Sequence, residues 1–200
     1  IGAVGADAAG DRLRFSLDAA GVDVGSVRVD PDHPTGIAVI AVDEGGENHI
    51  VVSPGANAAL RPEHLAPSSQ LLAAAAVVLT QLEVPIDTVV AAASIARGLV
   101  VVNPAPARDL PGELIDRADV LVPNQTELGM LAGVPTPGTR EEAAEAARRL
   151  DGAVVVTLGS GGALVVAGGE VTHVPAPVVE AVDPTGAGDA FCGGLADALV

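Results

Sequence analysis

Apolar side chains recur at helical spacing early in the chain, with Leu13, Leu17 and Ala20 on one stripe and Gly21 as a stop. The pattern predicts a helix over residues 7–20. The period then changes. Residues 37–42 and 49–52 form two β-branched apolar runs around the turn-like DEGGE of 43–47, which together read as a hairpin. From residue 77 onward short apolar runs alternate with helix-like stretches. Strands are expected over 77–82, 99–102, 119–122 and 153–158, with helices over 86–97, from 127 to Gly133, and from 139 to near Leu150. Thr139 and Glu142 have the spacing of a capping box, with acids early and arginines late as the helix dipole prefers. A second hairpin, 163–166 with 171–174, and a helix from Asp189 close the pattern.

Continuously apolar strands separated by helices imply an α/β protein with a mostly parallel sheet covered by helices. In such sheets ligands bind beyond the carboxyl ends of the strands. The polar clusters fall there: Glu83, Asn103, Asn124 with Glu127, Thr157 with Gly159, and Asp189. One active edge is therefore expected. Neither a linker nor an internal repeat is evident, so residues 1–200 read as one domain, with the hairpin at 35–53 as its distinct appendage.

Composition narrows the chemistry. The chain is 49% hydrophobic but only 1% aromatic, so its core must be built from small side chains in strand–helix layers. The formal net charge of -16 argues against nucleic-acid binding. It leaves room for a single nucleotide held by local backbone donors. All 10 basic residues are arginine, which removes a P-loop lysine and a lysine Schiff base from the visible chain. The single cysteine, Cys192, excludes a disulfide framework and suits a reducing, cytoplasmic setting. Its sequence surroundings suggest packing, not nucleophilic chemistry. The apolar run at 71–79 is too short for a membrane span, which takes about 20 residues. No signal peptide is visible. Because Ile1 is not a start methionine and the pattern stops within a helix, an internal segment of a longer protein is expected.

The stretch DPTGAGDAF, 183–191, brings Gly186 and Gly188 directly before a carboxylate, Asp189. The glycines permit backbone angles that turn successive amides into an anion hole at a helix start. Asp189 beside it could take the proton of an attacking hydroxyl. A plain glycine turn with an acid in the first helical turn fits the same residues. In NQTE, Glu127 could order water around Mg²⁺, or Asn124 and Glu127 could simply cap a helix. TLGSGG, 157–162, follows a strand and could lie along a nucleotide. It fails the dinucleotide fingerprint, because Leu164 stands at the third glycine position and a strand follows. Glu83 could bind a sugar hydroxyl or be a solvated strand end. The histidines at 33, 49, 64 and 173 receive no role.

In combination, DPTGAGDAFCGGLADAL, PNQTE and VVTLGSGG resemble, respectively, the C-terminal signature, the N-x-x-E motif and the nucleotide loop of the ribokinase (PfkB) family of carbohydrate kinases. PGANAAL, LTQLEVP and NPAPARDLP resemble the ribose-phosphorylating branch more than the others. The resemblance implies a three-layer α/β/α fold with a small β lid, and phosphorylation of D-ribose at its 5-hydroxyl by ATP. It also implies Mg²⁺ and a monovalent cation, usually K⁺, as cofactors. By it, Asp189 matches the catalytic base and a sugar contact, and Gly186, Ala187 and Gly188 the anion hole. Asn124 and Gly188 match nucleotide contacts, as do Thr157, Leu158, Gly159, Ser160, Gly161 and Gly162. Glu127 matches a Mg²⁺-positioning residue and Glu83 a sugar contact. Asp183 and Thr185 match the monovalent-cation site, although Pro184 stands where many members carry Thr. The hairpin matches lid strands that cover the sugar and make a homodimer. Further family segments would precede Ile1 and follow Val200, so these 200 residues alone are expected to show little kinase activity. Fructokinase, deoxyribose kinase and nucleoside kinase activities are the alternatives within the family; a catalytically silent sugar- or nucleotide-binding protein is the alternative outside it.

Overall fold

A computed structural model describes residues 1–42, 48–179 and 185–200. The expected turn at 43–47 and Asp183 lie outside the described residues. The chain divides into two compact units, residues 1–70 with 83–88 and residues 71–82 with 89–200.

In the first unit, β1 (Gly2–Gly5) leads through α1 (Ala8–Ala19) to β2 (Val27–Asp30), and the two strands pair in parallel from Gly2 with Val27 to Gly5 with Asp30. The hairpin follows as β3 (Ile37–Val42) and β4 (Asn48–Ser53), antiparallel, with Ile37 opposite Ser53 and Val39 opposite Val51. Short 3₁₀ segments at Gly55–Ala59 and Pro62–Ser68 complete the unit. Ala3, Ala56 and Leu60 form its small core, joined by Val84.

One carboxylate ties these elements together. Asp7 caps α1 by accepting from the amide of Gly10 at 2.8 Å. It also accepts from the Thr35 amide at 2.8 Å and the Thr35 hydroxyl at 2.7 Å. The same hydroxyl oxygen accepts from Gly5 N at 2.9 Å. Backbone and hydroxyl donation from Thr35, with help from Gly10, holds the Asp7 carboxyl down at about 2 against burial.

The helical spacing of residues 7–20 is present, but the face it defines is covered only at its start. Gly10 is the one buried residue of α1, while Leu13 and Leu17 are 49% and 41% exposed and Ala20 is exposed. Periodicity reports which side chains share a face; it does not report how far a neighbour extends along it. Here a Cβ on Gly10 would meet Gly5 O and Thr35 Oγ1, so α1 rests on β1 through its first turn.

After α2 (Ser69–Ala74), whose first residues fall on the first unit's side of the division, the chain enters the second unit. There it runs β5 (Val77–Thr80), α3 (Ile86–Ile95), β6 (Leu99–Val102), α4 (Gly112–Arg117), β7 (Val120–Leu121), α5 (Gln125–Ala132) and α6 (Arg140–Ala147). It ends with β8 (Ala153–Thr157), β9 (Ala163–Ala167), β10 (Glu170–Val174) and α7 (Ala187–Ala198). The six strands stand in the order β10-β9-β8-β7-β6-β5. The pairs β5–β6, β6–β7 and β7–β8 are parallel, and the closing pairs β8–β9 and β9–β10 antiparallel.

Successive residues of a strand point to opposite faces. Val100, Val101 and Val102 are all fully buried, so both faces of this sheet are covered. On one face Phe191, Cys192 and Leu195 of α7 pack against Val77, Val101, Val120 and Val122. The other face buries Val100, Val102, Leu121 and Val154. The structure thus has the expected α/β architecture with a mostly parallel central sheet. Arg117 secures an edge of α4 by donating to Ala96 O, Gly98 O and Asp119 Oδ2.

Candidate active site

The candidate residues of the second unit gather where its parallel strands end. Beyond β5, Thr80 O accepts from Asn103 N at 2.8 Å, and Asn103 Nδ2 donates to Val122 O at 2.8 Å. The next strand end carries Asn124, which forms a parallel bridge with Thr157, while Thr157 N donates to Pro123 O at 2.9 Å. The NQTE motif and the TLGSGG loop are therefore neighbours, although separate in sequence.

Asn124 and Glu127 do form a capping box, as one of the two sequence readings holds. Asn124 Oδ1 accepts from Glu127 N at 2.9 Å, and Glu127 Oε2 accepts from Asn124 N at 2.8 Å. Glu127 Oε1 also accepts from Asn124 Nδ2 at 2.9 Å. Unlike an ordinary cap, this carboxylate is buried, at 5% exposure. Burial pushes its pKa up, and the Asn124 amide only partly opposes that. A desolvated carboxylate with one hydrogen bond on each oxygen retains lone pairs toward water or a cation. That suits the indirect holding of Mg²⁺, which keeps several of its waters. Among the described residues no group of three or more His, Cys, Asp or Glu could hold a metal directly.

The helix expected from Asp189 starts earlier, at Ala187. Its N-cap, Gly186, has φ 74° and ψ 4°, a left-handed conformation that favours glycine. The helical ladder opens with Ala190 N donating to Gly186 O at 2.9 Å, so the amides of the first turn lie ahead of it. Asp189 stands in that turn and is exposed. Cys192, one turn on, is buried; burial first, then the charges of Asp189 and Glu127, push its thiol pKa up. Cys192 packs in one cluster with Val122, two residues ahead of Asn124, so α7 lies beside the strand that leads into the NQTE motif. The raised thiol agrees with the packing role expected of Cys192.

The loop from Thr157 to Gly162 is closed on itself. Leu158 N donates to Gly162 O, Gly161 N to Leu158 O, and Gly162 N to Gly159 O. Beside it opens a cleft of about 500 Å³, a volume typical of small-molecule sites. Leu158, Ser160 and Gly161 of the loop line it together with Gln125, Arg140 and His173. Arg140 and His173 carried no signal in the sequence, because their meeting depends on α6 and β10 flanking the same loop.

Glu83 lies beyond the end of β5, which stops at Thr80 and not at residue 82, and belongs to the first unit. It is exposed. Thr185 is described and exposed, immediately before Gly186.

The whole of residues 1–200 matches the pfkB family carbohydrate kinase profile. A ribokinase from Schizosaccharomyces pombe is 37% identical over 100% of this chain. A deoxyribokinase from Salmonella typhi is also 37% identical, over 95% of the chain. The chain spans 66% of the first of these relatives and 64% of the second. Among solved structures, that of Arabidopsis thaliana ribokinase complexed with ribose and ATP superposes with a TM-score of 0.91 at 31% identity, covering 100% of this chain and 68% of that one.

Proposed function

This chain belongs to the pfkB family of carbohydrate kinases, and on that premise we propose that the protein carrying it transfers the γ-phosphoryl group of ATP to the 5-hydroxyl of D-ribose. The observation that carries the reading is the start of α7: a left-handed Gly186, the first-turn amides and Asp189 within that turn. Asp189 takes the proton of the sugar hydroxyl as its oxygen attacks phosphorus in line. The bond from phosphorus to the bridging oxygen of ADP breaks, and ribose 5-phosphate and ADP leave. The amides at Gly186, Ala187 and Gly188 receive the charge of the transferring group, as oriented backbone donors do in phosphoryl transfer. Asn124 and residues 157–162 hold the nucleotide.

When bound, Mg²⁺ neutralises charge on the phosphates; Glu127 would hold its water shell. Glu83 contacts the sugar. Asp183 and Thr185 contribute to a monovalent-cation site, with K⁺ as the expected ion. The β3–β4 ribbon serves as the sugar lid and as a homodimer contact. Its support is the apolar surface that Ile37, Val39, Val51 and Val52 expose, at 56–70% each. The protein is cytoplasmic. Among the described residues no helix is long and apolar enough to cross a membrane.

Deoxyribose is the second substrate to consider, because the deoxyribokinase matches this chain as closely as the ribokinase does. The test is ADP release by the intact gene product with Mg²⁺ and K⁺, over ribose, 2-deoxyribose, fructose and nucleosides. Ribose is expected to give the highest kcat/KM, and Asp189→Ala to lower kcat by at least about a hundredfold. Preference for another sugar replaces ribose in the reading. ATP binding with no turnover on any substrate overturns it in favour of a silent binding protein.

A further inference from the structure

The loop beside the cleft is fastened by a side chain that the mechanism above does not use. His173 on β10 lies between Arg140 and the loop: its Nδ1 is 2.9 Å from a guanidinium nitrogen of Arg140, and its Nε2 is 2.7 Å from Gly161 O. A guanidinium only donates and a carbonyl only accepts. The ring must therefore accept at Nδ1 and donate at Nε2, which defines a neutral imidazole with its proton on Nε2. Arg140, the first residue of α6, selects the tautomer, and that tautomer binds the loop.

The loop responds to this contact because its own bonds leave Gly161 O over. The internal bonds use Leu158 O, Gly159 O and Gly162 O as acceptors. The next residue, Gly162, has φ 89°, and a Cβ there would run into Val174 O and Ala176 N. The peptide between Gly161 and Gly162 is thus fixed against β10 by a hydrogen bond on one side and close backbone approach on the other. A glycine-rich loop loses much conformational entropy on becoming ordered. An external fastening that orders it beforehand lowers that cost for any ligand. The cap of α6 is closed around Arg140: Glu142 Oε2 accepts from Gly138 N and Thr139 N, and Thr139 Oγ1 accepts from Glu142 N.

We propose that His173, oriented by Arg140, is a positioning residue that holds the 159–162 loop in the shape that receives the nucleotide. The inference rests on the reading of residues 157–162 as the nucleotide loop.

The test varies ATP and sugar separately in the intact gene product. His173→Ala is expected to raise KM for ATP about three- to tenfold, the loss of one or two hydrogen bonds, with the rate recovering at saturating ATP and KM for the sugar unchanged. Arg140→Ala should shift KM for ATP in the same direction by less. His173→Gln carries an acceptor and a donor on one planar group and should restore the ATP value to within about twofold. His173→Phe, which keeps the ring but not the bonds, should not. Nitrogen-15 NMR should find the Nε2–H tautomer at His173, a readout independent of turnover. The proposal is overturned by an unchanged KM for ATP in His173→Ala, by equal rises for both substrates, by rescue with Phe but not Gln, or by the Nδ1–H tautomer. An Arg140→Ala effect larger than that of His173→Ala also overturns it, since Arg140 would then contact the nucleotide itself. Absence of ATP binding in the unmodified protein would instead sink the nucleotide-loop reading, which separates the two failures.

Discussion

Two carboxylates, each hydrogen-bonded directly to amide groups, are shifted in opposite directions. Asp7 receives three donors and is held at about 2; Glu127, buried, is raised. For Asp7 the folded pKa lies below its ordinary 3.8. Its contribution to stability is therefore fully present above about pH 4 and disappears as pH falls toward about 2. Asp7→Asn should accordingly lower stability at neutral pH, with the gap from the unmodified protein closing between about pH 4 and pH 2. Denaturant titrations across that range check it; a gap that persists at pH 2 contradicts it. Gly162 gives a second expectation at this scale. Any side chain there meets the backbone of residues 174–176 at a positive φ, so Gly162→Ala should cost at least about 2 kcal/mol in thermal unfolding. The mutation would also displace the loop.

Helix caps provide the comparison at the level of elements. α5 and α6 both begin with complete capping boxes, Asn124 with Glu127 and Thr139 with Glu142. Losing the Thr139 side chain should cost about 1 kcal/mol, the ordinary value of a cap. Asn124→Ala should cost more than Thr139→Ala. Glu127 is buried and accepts from the Asn124 amide group, whereas Glu142 is exposed and water replaces its lost partners. Equal losses in urea melts would mean that the burial of Glu127 carries no penalty. Both boxes have the same sequence spacing, so this difference depends on what each helix start packs beneath.

The molecule as a whole carries -16 formal charge with only 10 basic residues to offset 26 acids. Among the described residues Asp30 meets Arg28 and His33, and Asp119 meets Arg117, but the excess of 26 acids over 10 arginines stands whatever is paired. Excess like charge opposes the compact state, and salt screens it over distances beyond about 10 Å at 0.1 M. The melting temperature should therefore rise by about a few degrees between roughly 0.01 M and 0.5 M NaCl, beyond the change seen with an uncharged osmolyte. A flat or falling dependence would contradict this. The separate expectation that these 200 residues alone have little kinase activity belongs to the same scale. Its check is the rate of the 200-residue chain beside that of the intact gene product.

Much of this was legible in the chain itself. The strands 37–42 and 99–102 have the bounds that their apolar runs predict, and Gly133 ends α5 in the left-handed conformation its position suggests. These features are local: side-chain period, capping residues and glycine stops act within a few residues of one another, so the sequence alone determines them. β1 escaped detection because GAVG has no β-branched run beyond Val4, and α2 and α4 because six residues are too few to establish a helical period. The exposure of Leu13 and Leu17 escaped because spacing defines a face without supplying its neighbour. The motifs GAGD, NQTE and TLGSGG were visible as separate strings, each open to a bland structural reading. Only tertiary structure decided that Glu127 is buried, that Cys192 packs against Val122, that Asn124 bridges to Thr157, and that Arg140 reaches His173 beside Gly161. The physical reason is that these relations arise between distant residues brought together by parallel strand order and helix packing, and no local periodicity encodes them.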